Sequence, residues 1–242
     1  GEILAVVGAS GSGKSLLANA VLGILPGNSQ VSGEMIYDGI MLDADRQKKL
    51  RGKEIVLIPQ SVDYLDPLMR VGKQVRGISG TAEKVKKAFR RYNLGEDVEK
   101  MYPFQLSGGM ARRVLISTAV MADSRLIIAD EPTPGLDTDM AMETLSNFRE
   151  LADKGCGVLL ITHDIDLAFN VADRIAVFYA GTVVEECPVE DFKAGKEALR
   201  HPYSKAFIDA LPQNDFKPIE GTQPYAGNLP EGCLFAPRCP YR

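Results

Sequence analysis

Near its start the chain runs from an apolar segment, Ile3-Leu4-Ala5-Val6-Val7, straight into Gly8-Ala9-Ser10-Gly11-Ser12-Gly13-Lys14-Ser15 and then into the helix-like stretch Leu16 to Leu22. Few sequence features constrain a fold more. Glycines at this spacing let consecutive backbone N–H groups turn inward, and the helix that follows presents its positive end to the same point. Such a loop cradles phosphates only when a buried strand precedes it and a helix follows. A Gly/Ser-rich turn that binds nothing is the bland reading, and the complete match in its full context argues against it. Gly8, Ser10, Gly11, Ser12, Gly13, Lys14, Ser15 and Leu16 are therefore the candidate nucleotide-binding residues. Lys14 is placed to reach the β- and γ-phosphates, and Ser15 to offer its hydroxyl to Mg²⁺.

Strand-like segments recur at Glu54 to Ile58, Leu126 to Ala129, Val158 to Thr162 and Ile175 to Tyr179, with helical patterns between several of them. Continuous apolar strands alternating with helices predict an α/β fold around a mostly parallel sheet covered on both faces. Between Gln60 and Gln105 the character changes. Val85, Ala88, Phe89 and Tyr92 fall at i, i+3, i+4 and i+7, one face of an amphipathic helix, with Thr81 as its cap. The expected organisation is a nucleotide-binding core over residues 1–60 and 106–185, a helical subdomain over 61–105, and a C-terminal extension over 186–242. From Pro212 onward, Pro, Gly, Asn and Gln predict an extended, loosely structured appendage.

The length of 242 residues suits one large domain or a domain with a subdomain. A net charge of −4 gives no global reason to expect nucleic acid or an anionic membrane surface as partner. No apolar stretch approaches the ~20 residues of a spanning helix, so membrane association must run through another protein. The chain opens on a strand, without an initiating Met or signal peptide, and reads as a piece whose natural N-terminus lies upstream. Four cysteines make no dense framework, and a reducing cytosol is the default.

Two further segments carry chemistry. Leu126-Ile127-Ile128-Ala129-Asp130-Glu131 is an apolar strand ending in two carboxylates, where open α/β sheets bind ligands. Asp130 is placed to hold Mg²⁺ through water, and Glu131 to polarise the attacking water as general base. Leu106-Ser107-Gly108-Gly109-Met110 precedes a helical run, Ala111 to Met121. It reads either as a cap or as an anion site at a helix N-terminus.

With the phosphate loop, these segments resemble the ATP-binding cassette (ABC) ATPases, over nearly the whole chain. The resemblance implies a P-loop NTPase fold: a cassette with an inserted helical subdomain, a C-terminal extension, and its N-terminal strands missing. ATP and Mg²⁺ are then the expected ligands, with Ser15, Gln60 and Asp130 serving the metal. Gln60, after Ile55-Val56-Leu57-Ile58-Pro59, is similar to the family's γ-phosphate sensor, which links the nucleotide to the helical subdomain. Ser107, Gly108 and Gly109 match the signature that covers the ATP of a partner cassette paired head to tail. Pro132-Thr133-Pro134-Gly135-Leu136-Asp137 resembles the D-loop, with Pro134-Gly135 departing from the small polar or alanine residues often found there. His163, after Val158 to Thr162, resembles the switch histidine. With Glu131 and Gln60 it completes the expected catalytic set. The aromatic residue that stacks on adenine lies, in the family, upstream of Gly1.

The branch follows from what is absent and from the tail. A coiled-coil insertion, a second cassette or a basic stripe would point to the alternative, an ABC ATPase acting on nucleic acid or ribosomes, and none is found. A regulatory subunit that binds ATP without turnover is disfavoured by Glu131 and His163. His201-Pro202-Tyr203-Ser204, Leu211-Pro212 and the run Pro230 to Pro240 resemble the extension of dipeptide, oligopeptide and nickel importer ATPases. So do Leu22 to Pro26 and Tyr102 to Gln105. The expected partners are a second ATPase subunit, identical or a sister, and integral permease subunits whose short helix docks near Gln60. An extracytoplasmic binding protein takes part indirectly, and the place is the cytoplasmic face of the bacterial plasma membrane. A peptide is the first expected cargo and nickel or another chelated metal the second. Some members carry an iron–sulfur cluster in this tail. Four thiolates are usually needed, so a cluster through Cys233 and Cys239 is expected only in the intact protein, and two free thiols, or a disulfide formed in air, in this chain.

Overall fold

The computed structural model describes every residue except Ile78, Ser79, Asp123, Pro212, Gln213 and Asp215. Among the described residues the strands are β1 (Ile3–Val7), β2 (Ile36–Tyr37), β3 (Ile40–Met41), β4 (Ile55–Ile58), β5 (Leu126–Asp130), β6 (Gly157–Ile161), β7 (Arg174–Tyr179) and β8 (Thr182–Pro188). The helices are α1 (Lys14–Leu22), α2 (Ala44–Leu50), α3 (Val71–Arg76), α4 (Ala82–Arg91), α5 (Gly108–Met121), α6 (Thr138–Asp153), α7 (Ile165–Val171), α8 (Val189–Lys193) and α9 (Pro202–Asp209). The chain divides into two compact units. One comprises Gly1 and residues 18–159, the other residues 2–17 and 160–242.

In the first unit β4 and β5 pair in parallel, from Ile55 opposite Leu126 to Ile58 opposite Ala129. Ile55, Ile58, Ile127 and Ile128 are buried on these strands, as a parallel sheet covered on both faces requires. Residues 61–105 contain only helical elements among those described: two 3₁₀ turns around Glu96–Lys100 and Pro103–Gln105, a third at Val62–Tyr64, and α3 and α4. The expected face of α4 is the one buried, through Val85, Ala88, Phe89 and, at its C-cap, Tyr92. The Thr81 hydroxyl caps it by accepting from Lys84 N–H at 3.3 Å. Arg113 of α5 donates to the carbonyls of Tyr92 and Asn93, each at 3.1 Å, placing a cation at the negative end of α4. Tyr92 in turn accepts from Asn147 of α6 at 2.7 Å, through its hydroxyl.

In the second unit β1 pairs in parallel with β7, and β7 turns back into β8 as an antiparallel hairpin. That turn is Ala180-Gly181, both at positive φ, the two-residue geometry that suits the strands' own twist. The second unit also holds the chain beyond α9. From Phe216 it has no regular element apart from a 3₁₀ turn at Ala236–Arg238. It is nevertheless anchored. Phe235 is 1% exposed, and Arg238 donates to the carbonyls of Glu220 at 2.7 Å and Ile219 at 2.8 Å. The appendage lacks repetitive structure because its composition does, yet a few large side chains fix its course. Its expected first residue, Pro212, lies outside the described residues.

Candidate functional site

The second unit contributes the phosphate loop. β1 delivers Gly8 at its end, and α1 starts at Lys14. A Cβ on Gly8 would lie 2.2 Å from the Phe178 carbonyl oxygen of β7, so this position admits no side chain. Gly13 has φ +102°, which L-residues with side chains rarely adopt. Ser12 is buried, and its N–H donates to the Ala9 carbonyl at 3.3 Å, closing the loop on itself. The Lys14 ammonium, also buried, donates to the carbonyls of Gly8 at 2.8 Å and Ala9 at 3.0 Å. Ser10 and Gly11 are exposed at the loop's crown, Ser15 is half-buried, and Leu16 is 58% exposed. His163 is exposed, between β6 and α7 in the same unit. Thr162 Oγ1 accepts from Asp164 N–H at 3.0 Å, and Asp164 caps α7 by accepting from Leu167 N–H at 3.1 Å.

An aromatic cluster stands behind this loop. Tyr203 of α9 packs against Tyr179 of β7 with ring centroids 4.4 Å apart, and Phe235 lies 5.4 Å from both. The backbone of Ala9 hydrogen-bonds Tyr203, while burial raises the pKa of that phenol. The C-terminal extension therefore reaches the phosphate loop through one helix. Cys233 lies 3.9 Å from His201 Nε2. Among the described residues no group of three or more His, Cys, Asp or Glu side chains is arranged to hold a metal ion. Cys233 and Cys239 are both free thiols, two of the four thiolates that a cluster usually needs.

The first unit contributes the carboxylates. Asp130 ends β5, and Glu131 follows it at φ +48°, in the left-handed region that a glutamate adopts only at a conformational cost. Both are 6% exposed. Asp137, at the end of the D-loop-like segment, caps α6 by accepting from Met140 N–H at 2.9 Å. Ser107 caps α5, its hydroxyl accepting from Met110 N–H at 3.3 Å, so Gly108 and Gly109 form the helix's first residues. A Cβ on Gly109 would come 3.2 Å from the Gly135 carbonyl oxygen. Within this unit, then, the Pro134-Gly135 turn and the start of α5 touch.

Gln60 is exposed just beyond β4. Next to it a cavity of about 280 Å³ is lined by Leu57, Pro59, Tyr64, Leu65, Gln74 and Leu115. Arg112 of α5 is a residue the sequence reading missed. Its Nη1 donates to the Pro59 carbonyl at 2.7 Å and its Nη2 to the Gln60 carbonyl. Burial lowers its pKa, against the charges of Asp130 and Glu131, which raise it. The signal was present: Arg112 falls at i of the apolar stripe Leu115, Ile116 and Ala119, where a charge demands a partner.

The second unit carries a strand, a glycine loop and the start of a helix, and the first carries a strand ending in two buried carboxylates; each is a part found in P-loop nucleotide hydrolases. The ABC transporter family model matches residues 1–134, and that of the oligopeptide/dipeptide transporter C-terminal region matches 184–242. The chain belongs to the ABC transporter ATPases, in the group that carries this C-terminal region. It is 36% identical over 267 residues to the oligopeptide transport ATP-binding protein AppD of Bacillus subtilis, covering 99% of this chain and 79% of that protein. It is also 36% identical over 264 residues to the dipeptide transport ATP-binding protein DppD of Haemophilus influenzae, covering 100% and 79%. Among solved structures, a bacterial ABC transporter cassette determined as a dimer superposes with TM-score 0.69 at 28% identity, covering 78% of this chain and 85% of that one. ABC-type ATP hydrolysis is the activity this membership brings. No helix among the described residues is long and apolar enough to cross a membrane.

Proposed function

We propose that this chain is the ATP-hydrolysing subunit of a peptide importer, and that each motif residue acts as its family position implies. The observation that carries the reading is Glu131. A buried glutamate held at positive φ, directly after the strand-terminal Asp130, is backbone strain of the kind found at functional sites, and it supports a role as hydrolytic base. The phosphate loop's N–H groups and Lys14 bind the β- and γ-phosphates. Glu131 accepts a proton from water as its oxygen attacks the γ-phosphorus and the bond to the ADP oxygen breaks. His163 and Gln60 hold the γ-phosphate end. Ser107, Gly108 and Gly109 serve the ATP of a partner cassette, and Asp137 fixes the segment between.

The donors Ser15, Gln60 and Asp130 are all hard oxygens, the chemistry Mg²⁺ requires. When bound, Mg²⁺ neutralises charge on the β- and γ-phosphate oxygens. The core over 1–60 and 106–185, with a helical subdomain over 61–105, remains our division of labour. The exposed side chains of Tyr64, which lines the cavity next to Gln60, and of Leu68 and Phe104 in the 61–105 segment support docking of a permease helix. The names of AppD and DppD support peptide cargo over nickel, and the proposed permease partner would hold the chain at the cytoplasmic membrane face. The test is Glu131→Gln. ATP hydrolysis should fall by about 10²–10⁴-fold, while equilibrium ATP binding is retained; unchanged turnover would remove Glu131 from its role.

A further inference from the structure

Arg112 joins three parts of the first unit that the motif series treats separately. It belongs to α5, one turn beyond the Ser107 cap. Two of its guanidinium nitrogens donate to the consecutive carbonyls of Pro59 and Gln60. Its charge also acts on Asp130 and Glu131, and all three side chains are 6% exposed. A buried guanidinium spanning two carbonyls is a stiff link, because its planar fork fixes donor directions that a lysine ammonium leaves free. The Gln60 backbone and the signature helix are therefore mechanically one piece, and the same cation is favoured by two buried carboxylates.

We infer that Arg112 is a positioning residue for hydrolysis, coupling the backbone of Gln60 to the Ser107–Gly109 end of α5. The inference rests on the nucleotide site set out above and adds a residue to it. Gln60 displaced by nucleotide would carry α5 with it through this link, without any contact between Arg112 and ATP. The Arg113 side chain next to it points to a different task, holding the carbonyls of Tyr92 and Asn93.

Hydrogen–deuterium exchange on the chain, with and without Mg·ATP, tests this directly. In the wild type, ATP should protect residues 59–61 and 107–110 together. In Arg112→Met, which keeps bulk but no donor or charge, ATP should still protect 59–61 while the protection at 107–110 is lost. Arg112→Lys, which keeps the charge and a single-point donor, should restore part of it. In parallel, kcat in the Met variant should fall about tenfold or more with ATP affinity within about twofold. Joint protection persisting in Arg112→Met, or Lys rescuing no better than Met, would overturn the coupling. A parallel loss of ATP affinity would instead make Arg112 merely structural and equally overturn it. A wild type in which ATP protects neither segment, nor the phosphate loop at 8–15, would take down the nucleotide assignment itself, and the inference with it.

Discussion

At the scale of single residues the chain keeps its chemistry where backbone geometry is least forgiving. Gly8 faces the Phe178 carbonyl so closely that an added methyl would sit 2.2 Å from that oxygen. Gly8→Ala must therefore shift either the loop or β7, and we expect ATP affinity to fall by about tenfold or more, read by equilibrium titration. The contrast with Gly11 is instructive, since no atom lies within 4 Å of its added Cβ. Gly11→Ala is strained only by its φ of +77°, and should weaken binding less than Gly8→Ala in the same titration. Glu131 shows the opposite case: a residue with a side chain is kept at positive φ, a strain that the hydrolytic role proposed above would explain. The sequence made these candidate residues readable because each sits in a motif. Arg112 left one local hint, a charge on an apolar stripe, and Tyr203 left none, since their partners, the carbonyls of Pro59 and Gln60 and the backbone of Ala9, are long-range contacts that no local spacing encodes.

At the scale of elements, periodicity announced α4 and its cap and five of the strands, each within a residue or two, while it began α5 at Ala111, three residues after its start at Gly108. It did not announce β2, β3 or β8. The first two are only two residues each, and their hairpin signal was the turn Asp38-Gly39, both at positive φ. β8 alternates charged and apolar residues at Val184-Glu185-Glu186-Cys187 too irregularly for a period of two. Its register with β7 shifts between Val177 and Phe178, where the expected alternation breaks. β8 also sets a pH response. Glu185 accepts from the N–H groups of Arg200 at 2.7 Å and His201 at 2.9 Å. His201 caps α9, its Nδ1 accepting from Tyr203 N–H at 3.1 Å. Burial lowers the His201 pKa below its ordinary 6.5, more than the Glu185 charge raises it. On acidification the unfolded chain thus takes up this proton before the folded one does, and stability falls as pH drops below about 6.5. Burial raises the Glu185 pKa, but the hydrogen bonds it accepts outweigh this and leave it lowered, so it adds a second loss of the same sign below its ordinary 4.5. His201→Asn, which caps without titrating, should remove the first of these losses and leave the second; thermal denaturation from about pH 8 down to about pH 3 reads both.

At the scale of the whole molecule, a matching cassette structure is a dimer, and under the proposed function the exposed Ser107 and Gly108 at the start of α5 would serve a partner's nucleotide. Mass measured in solution for Glu131→Gln should double on adding Mg·ATP if the chain pairs with itself. It should stay that of one chain, with ATP bound, if a sister subunit is required. The tail carries one more consequence. The chain has eight tyrosines and no tryptophan, so its near-ultraviolet circular dichroism is tyrosine's to dominate. Tyr179 and Tyr203 lie within 4.4 Å of each other in a rigid, asymmetric setting that Phe235 completes. The unlabelled protein therefore carries an optical gauge of whether its C-terminal extension is seated behind the phosphate loop.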